Sequence, residues 1–103
     1  KIDKGEDPLK CASRELLEET GYASKKIEFM TEIHPVIGYA NEKILLYSAF
    51  DLTPGPQNLD EGEHLRVVTL SSDQIEEKLR AGEFSDVKSQ AAYFWWKMLY
   101  AQK

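Results

Sequence analysis

The chain has 103 residues, of which 42% are apolar, and a formal net charge of −5. That length holds one domain, and the acidic balance argues against an electrostatic nucleic-acid binder, which needs clustered Lys and Arg to neutralise phosphates. The single cysteine, Cys11, excludes an internal disulfide and suits a reducing cytoplasm, and no apolar run reaches the length of a membrane-spanning helix.

Asp7-Pro8 predicts a helix start, with Asp7 as N-cap and Pro8 at the first helical position. The pattern runs without a breaker to Thr20, and Gly21 supplies the stop. Leu9, Ala12 and Leu16 share one face of this helix at spacings of three and four, and Glu15, Glu18 and Glu19 share another. Ile27 to Ile37 mixes β-branched and aromatic residues and predicts a strand, followed by a turn over Gly38 to Asn41. Lys43 to Phe50 predicts a second strand, which Thr53-Pro54-Gly55-Pro56 breaks, and a loop continues to about Glu63. His64 to Leu70 alternates well enough for a third, short strand. Ser71-Ser72-Asp73-Gln74 opens a capped helix that Gly82 ends, and Ser85-Asp86 starts a last helix rich in Ala, Trp and Tyr. Three helices and three strands in this order give an α/β or α+β domain. Three strands are few for a stable sheet, and the chain opens on Lys1 rather than Met without a signal-peptide pattern. Both points lead us to expect further strands N-terminal to this segment.

Three glutamates on one helical face pose a physical problem. Like charges at these spacings repel by a few tenths of a kcal/mol per pair, roughly, on an exposed helix. One reading is a solvated acidic face, partly relieved by Arg14 and Lys10. The other is a hard-cation site, since Mg²⁺ takes a few carboxylates together with waters and substrate phosphates, and a helix fixes their separation.

The wider pattern favours the second reading. Glu6, seven residues, then Arg14-Glu15-Leu16-Leu17-Glu18-Glu19-Thr20-Gly21-Tyr22 closely resembles the Nudix box. The one defined position of that box outside the chain is its opening glycine, which would lie one residue before Lys1. The resemblance implies the Nudix fold, a mixed β-sheet held between helices, with residues 1–103 forming the C-terminal part of the domain. It also implies that Glu15, Glu18 and Glu19 bind Mg²⁺, or Mn²⁺ in its place. Arg14 then orients a motif carboxylate, Glu6 supports this network, and Gly21 closes the helix. Leu16 and Tyr22 match packing positions.

The implied reaction is hydrolysis of the diphosphate bond of a nucleoside diphosphate linked to another moiety. In that family the general base often comes from a later acidic loop, and the candidate here is Leu59-Asp60-Glu61-Gly62-Glu63-His64. Glu61 is the expected base, and Glu63 is its competitor or an extra ligand; an ordinary solvated acidic loop is the alternative. The C-terminal portion looks like the ADP-ribose pyrophosphatase branch, which makes ADP-ribose the first expected substrate, with AMP and ribose 5-phosphate as products. In that branch a proline commonly stands sixteen residues after the last glycine of the box, where this chain has Ile37, with Pro35 two residues earlier. Gly38 and Glu42 do fit the branch pattern, so Glu42 is a weak substrate-binding candidate or a plain strand-edge carboxylate. Other nucleotide-sugar or dinucleotide substrates, and a non-catalytic ligand sensor, are the competing expectations. The resemblance further implies a homodimer, while charge, apolar run length and the lone cysteine lead us to expect a cytoplasmic protein that binds neither nucleic acid nor membrane.

Three features stand outside the box. His34 beside a strand reads as structural rather than substrate-binding. Cys11, four residues before Glu15, reads as a packed small side chain. The Tyr93-Phe94-Trp95-Trp96 run with Tyr100 exceeds what one helix face can hide, and core or dimer packing is favoured over a base-stacking pocket.

Overall fold

In a computed structural model the element order is α1 (Pro8–Thr20), β1 (Ala23–Ile33), β2 (Ile44–Thr53), α2 (Ser72–Arg80) and α3 (Val87–Tyr100). The structure describes residues 5–35, 42–59 and 61–101. The class is α+β, with β1 and β2 forming a two-stranded antiparallel sheet. The mixed sheet of the expected fold is therefore not assembled among the described residues.

Local chemistry sets the boundaries. The Asp7 carboxylate accepts from the backbone N–H groups of Leu9 and Lys10, satisfying donors that the first turn of α1 leaves orphaned. The helix ends at Gly21, whose φ of 81° is left-handed and whose N–H donates to the Leu17 carbonyl. At α2 the capping box is complete: the Ser71 hydroxyl accepts from the Gln74 N–H at 3.1 Å, and the Gln74 side chain accepts from the Ser71 N–H at 2.8 Å. At α3 the Asp86 carboxylate is the cap, accepting from both the N–H and the hydroxyl of Ser89.

The chain forms two compact units. The first comprises residues 1–29 and 47–67, and the second residues 30–46 and 68–103. Within the first, antiparallel pairing brings the Ser24 hydroxyl to the Phe50 carbonyl at 2.6 Å and packs the Phe29 ring edge-on to Tyr47 at 5.6 Å. Cys11 is buried there, as expected of a small packed side chain. Leu9, placed by its spacing on a packing face, is 45% exposed, whereas Ala12 and Leu16 are half-buried. Within the second unit, buried Tyr93 is the pivot. It stacks on Trp96 and meets Phe94 edge-on, and its hydroxyl donates to Glu76 on α2 at 2.6 Å.

Two strand expectations need correction. β1 begins at Ala23, four residues before the apolar run that suggested it, because backbone pairing continues through the charged Ser24-Lys25-Lys26. His64 to Leu70 forms no strand; residues 64–69 are exposed and pair with no strand among the described residues. Alternation supplies two faces, but a strand exists only where a neighbour satisfies its N–H and C=O groups. The turn expected over Gly38 to Asn41, with Ile37, lies outside the described residues.

Candidate active site

The first unit gathers the box residues around Arg14. Its guanidinium grips Glu6 with two prongs, Nε to Oε2 at 2.9 Å and Nη2 to Oε1 at 3.1 Å. The remaining nitrogen, Nη1, donates to Glu15 at 2.9 Å and to Glu18 at 3.2 Å. A planar fork with five donors suits this task, whereas a lysine would offer one point charge. Glu6 lies just ahead of the Asp7 cap, so the start of α1 also fixes the carboxylate that anchors the fork. The Cys11 sulfur lies 3.8 Å from Nη2, beneath the same guanidinium.

Glu19 is treated differently. Partial burial, the Glu15 charge and a hydrogen bond shared with Glu15, and then the charge of Glu63, push its carboxyl above the usual carboxylate range. The position compounds the strain. Glu18 and Glu19 occupy the last turn of α1, where the helix dipole is negative and a basic residue would be favoured, yet that turn has none. On α2 the usual arrangement holds, with Asp73 in the first turn and Lys78 and Arg80 in the last. An acidic group destabilised on several counts in one place is a candidate functional site. Among the described residues, no three acidic, histidine or cysteine side chains converge closely enough to hold an ion. The chemistry of the donor set still fits a divalent cation. Glu15 and Glu19 are already in contact and Glu63 is close enough to act on Glu19, so positive charge placed there relieves the repulsion.

A loop closes the C-terminal end of α1. The Asn58 N–H donates to the Glu18 carbonyl at 2.7 Å, and the Gln57 side chain donates to the Glu19 carbonyl at 2.6 Å. These are two of the carbonyls that the last turn of a helix leaves without partners. Gly21 permits the approach, since a Cβ there would collide with the Gly55 carbonyl oxygen and lie 2.8 Å from its carbon. The same loop continues into the acidic segment. Glu61 is exposed at a turn completed by Gly62, whose φ is 88°, and Glu63 is exposed just beyond it. Asp60 lies outside the described residues. Gln57 and Asn58 went unnoticed in the sequence, where a lone amide pair in a Pro- and Gly-rich loop carries no motif.

The other candidates belong to the second unit. Glu42 is exposed just before β2, in the second unit. His34 pairs with Glu32 at 3.0 Å, both side chains being exposed. The aromatic run divides: Tyr93 is buried, Trp95 and Trp96 are half-buried, and Phe94 is 56% exposed. No helix among the described residues is long and apolar enough to cross a membrane.

Comparison with known proteins identifies the family. The methanol dehydrogenase activator of Bacillus methanolicus is 35% identical over 91 residues, covering 86% of this chain and 49% of that protein. The ADP-ribose pyrophosphatase of Bacillus subtilis (strain 168) is 33% identical over 91 residues, with the same coverage. A crystal structure of an ADP compounds hydrolase superposes with a TM-score of 0.82 at 28% identity, covering 94% of this chain and 52% of that one. The chain thus spans about half the length of the curated relatives it matches. Residues 1–90 match the family described as the NUDIX domain, and with the box residues assembled around Arg14 the chain belongs to that family of hydrolases.

Proposed function

We propose that the protein containing this chain hydrolyses the diphosphate bond of a nucleoside diphosphate joined to another group, with ADP-ribose as first substrate and AMP and ribose 5-phosphate as products. The observation that carries the reading is the Glu19 carboxyl, crowded by Glu15 and Glu63 at the negative end of α1. The similarity to an ADP-ribose pyrophosphatase and an ADP compounds hydrolase supports the choice of substrate.

In this reading Glu15, Glu19 and Glu18 would hold Mg²⁺, or Mn²⁺ in its place. The ion, when bound, neutralises the diphosphate oxygens and makes phosphorus more electrophilic. Arg14 holds Glu15 and Glu18 in fixed rotamers, with Glu6 as the anchor behind it. Glu61 takes the proton of the attacking water as its oxygen bonds to phosphorus and the bridging P–O bond breaks; Glu63 is the competing base or a further ligand. Glu42 is a weaker candidate for contacting substrate. The setting we expect is a cytoplasmic homodimer; the exposed Val87, Phe94, Met98 and Leu99 of α3 support the dimer.

The relative named as an activator favours a second reading, a regulatory domain that binds a nucleotide without cleaving it. Retention of Glu15, Glu18 and Glu19 weighs against it. The test is Mg²⁺-dependent hydrolysis of ADP-ribose by the full-length natural protein, with Glu19→Gln as control. Release of AMP and ribose 5-phosphate, abolished in the variant, upholds the hydrolase. An intact ADP-ribose sends the search to other nucleotide sugars. A folded protein that binds Mg²⁺ and cleaves none of them leaves the regulatory reading standing.

A further inference from the structure

The amide of Gln57 makes two bonds that no box residue explains. Its nitrogen donates to the Glu19 carbonyl at 2.6 Å and to the Leu65 carbonyl at 3.2 Å. Both partners are acceptors only, so the nitrogen must face them, and an amide NH₂ has two protons to give. One acceptor belongs to the residue whose carboxyl is the most crowded in the site. The other lies two residues beyond Glu63. The side chain of residue 57 therefore ties the last turn of α1 to Leu65, on the far side of the segment that carries Glu61 and Glu63.

Two neighbouring contacts keep the tie short. The Asn58 N–H reaches the Glu18 carbonyl at 2.7 Å, and Gly21 lets the Gly55 backbone come in without a Cβ between them. The acidic segment is thus anchored at its near end by backbone and at its far end by Gln57. Between the anchors stand Glu61 and Glu63, and Glu63 acts on Glu19 through its charge.

We propose that Gln57 is a positioning residue, a strap whose two hydrogen bonds hold the acidic loop over the box carboxylates so that Glu61 or Glu63 reaches the attacking water. This rests on the hydrolase reading above. Gln57 touches neither substrate nor metal in this scheme and acts through the loop it closes. A proton acceptor displaced by about 1 Å loses much of its effect on the chemical step while leaving substrate binding nearly intact.

The experiment compares Gln57→Met and Gln57→Glu in the full-length protein; both keep the length of the side chain and remove the NH₂. We expect kcat to fall about 10- to 100-fold in each, with KM and the half-activating Mg²⁺ concentration within about 3-fold of the parent, as for other groups that orient first contacts. Hydrogen exchange gives a readout independent of catalysis: the Asn58 amide should lose protection in both variants while the Gly21 amide, bonded within α1, keeps it. Unchanged kcat in a folded variant would overturn the proposal. So would a parallel rise in the Mg²⁺ requirement, which would mean that α1 itself is damaged, or unfolding of both variants, which would assign Gln57 to stability alone. Should the parent protein cleave no nucleotide-linked diphosphate, the hydrolase reading fails separately. The exchange measurement then decides the strap, with lost Asn58 protection upholding it and retained protection overturning it.

Discussion

At the scale of single residues, the site is organised by one guanidinium facing three carboxylates. Arg14 fixes Glu6 through both prongs and divides its remaining nitrogen between Glu15 and Glu18. Arg14→Lys conserves the charge and loses the fork. We expect kcat/KM to fall about 10- to 100-fold and the Mg²⁺ activation curve to move to higher concentration, as when partners behind metal ligands are lost. Steady-state rates over a Mg²⁺ titration measure this, and full activity in the lysine variant would mean that charge alone suffices. Glu19 supports a second prediction that needs no substrate. An ion that binds only the folded state at 100 times its dissociation constant stabilises by about 2.7 kcal/mol. Mg²⁺ should therefore raise the melting temperature of the parent protein and leave that of Glu19→Gln nearly unmoved.

At the scale of elements, two left-handed glycines separate conformational cost from steric cost. Gly82 follows α2 with φ 72° and has open space where a Cβ would stand. Gly82→Ala should cost only the left-handed backbone, about 1–2 kcal/mol. Gly21 adds the collision with Gly55, so Gly21→Ala should cost about 3 kcal/mol or more. Denaturant unfolding of the two variants measures the gap, and equal losses would mean that the loop at residues 55–58 yields freely. The helix ends were legible in the sequence because their causes are local: Asp7, Ser71 and Asp86 cap within three residues, and Gly21 and Gly82 stop what they follow. The box carboxylates were legible for the same reason, being spaced along one helix. What escaped depends on distant pairing. His64 to Leu70 has the alternation of a strand without a described partner, and the bond from Gln57 to Glu19 joins residues 38 positions apart.

At the scale of the whole molecule, each unit has its own charged centre, Glu19 among carboxylates in the first and Glu76 among donors in the second. In the second unit Glu76 accepts from Lys97 and from the Tyr93 hydroxyl, both at 2.6 Å, which joins α2 to α3. The hydrogen bond from Lys97, then that from Tyr93, hold the Glu76 carboxyl below its ordinary value of 4.5. The same contacts raise Lys97 above 10.5 and Tyr93 above 10.0. A lowered carboxylate contributes stability that is fully present above its unfolded value and lost as pH falls through the folded one. The raised ammonium and phenol contribute stability that is present below their unfolded values and lost as pH rises through the folded ones. The stabilisation from this triad should therefore be flat from about pH 5 to pH 10, the span between the unfolded carboxylate and phenol. It should fade on both sides of that span. Glu76→Gln removes the charge from the centre. Its melting temperature should lie a few degrees, roughly, below the parent across that plateau, the size of shift a modest loss produces in a domain of this length. The gap should close as both proteins are taken into acid, where the parent carboxyl is itself protonated. A gap that stays constant down to low pH would mean that Glu76 supports α2 and α3 by packing rather than by charge.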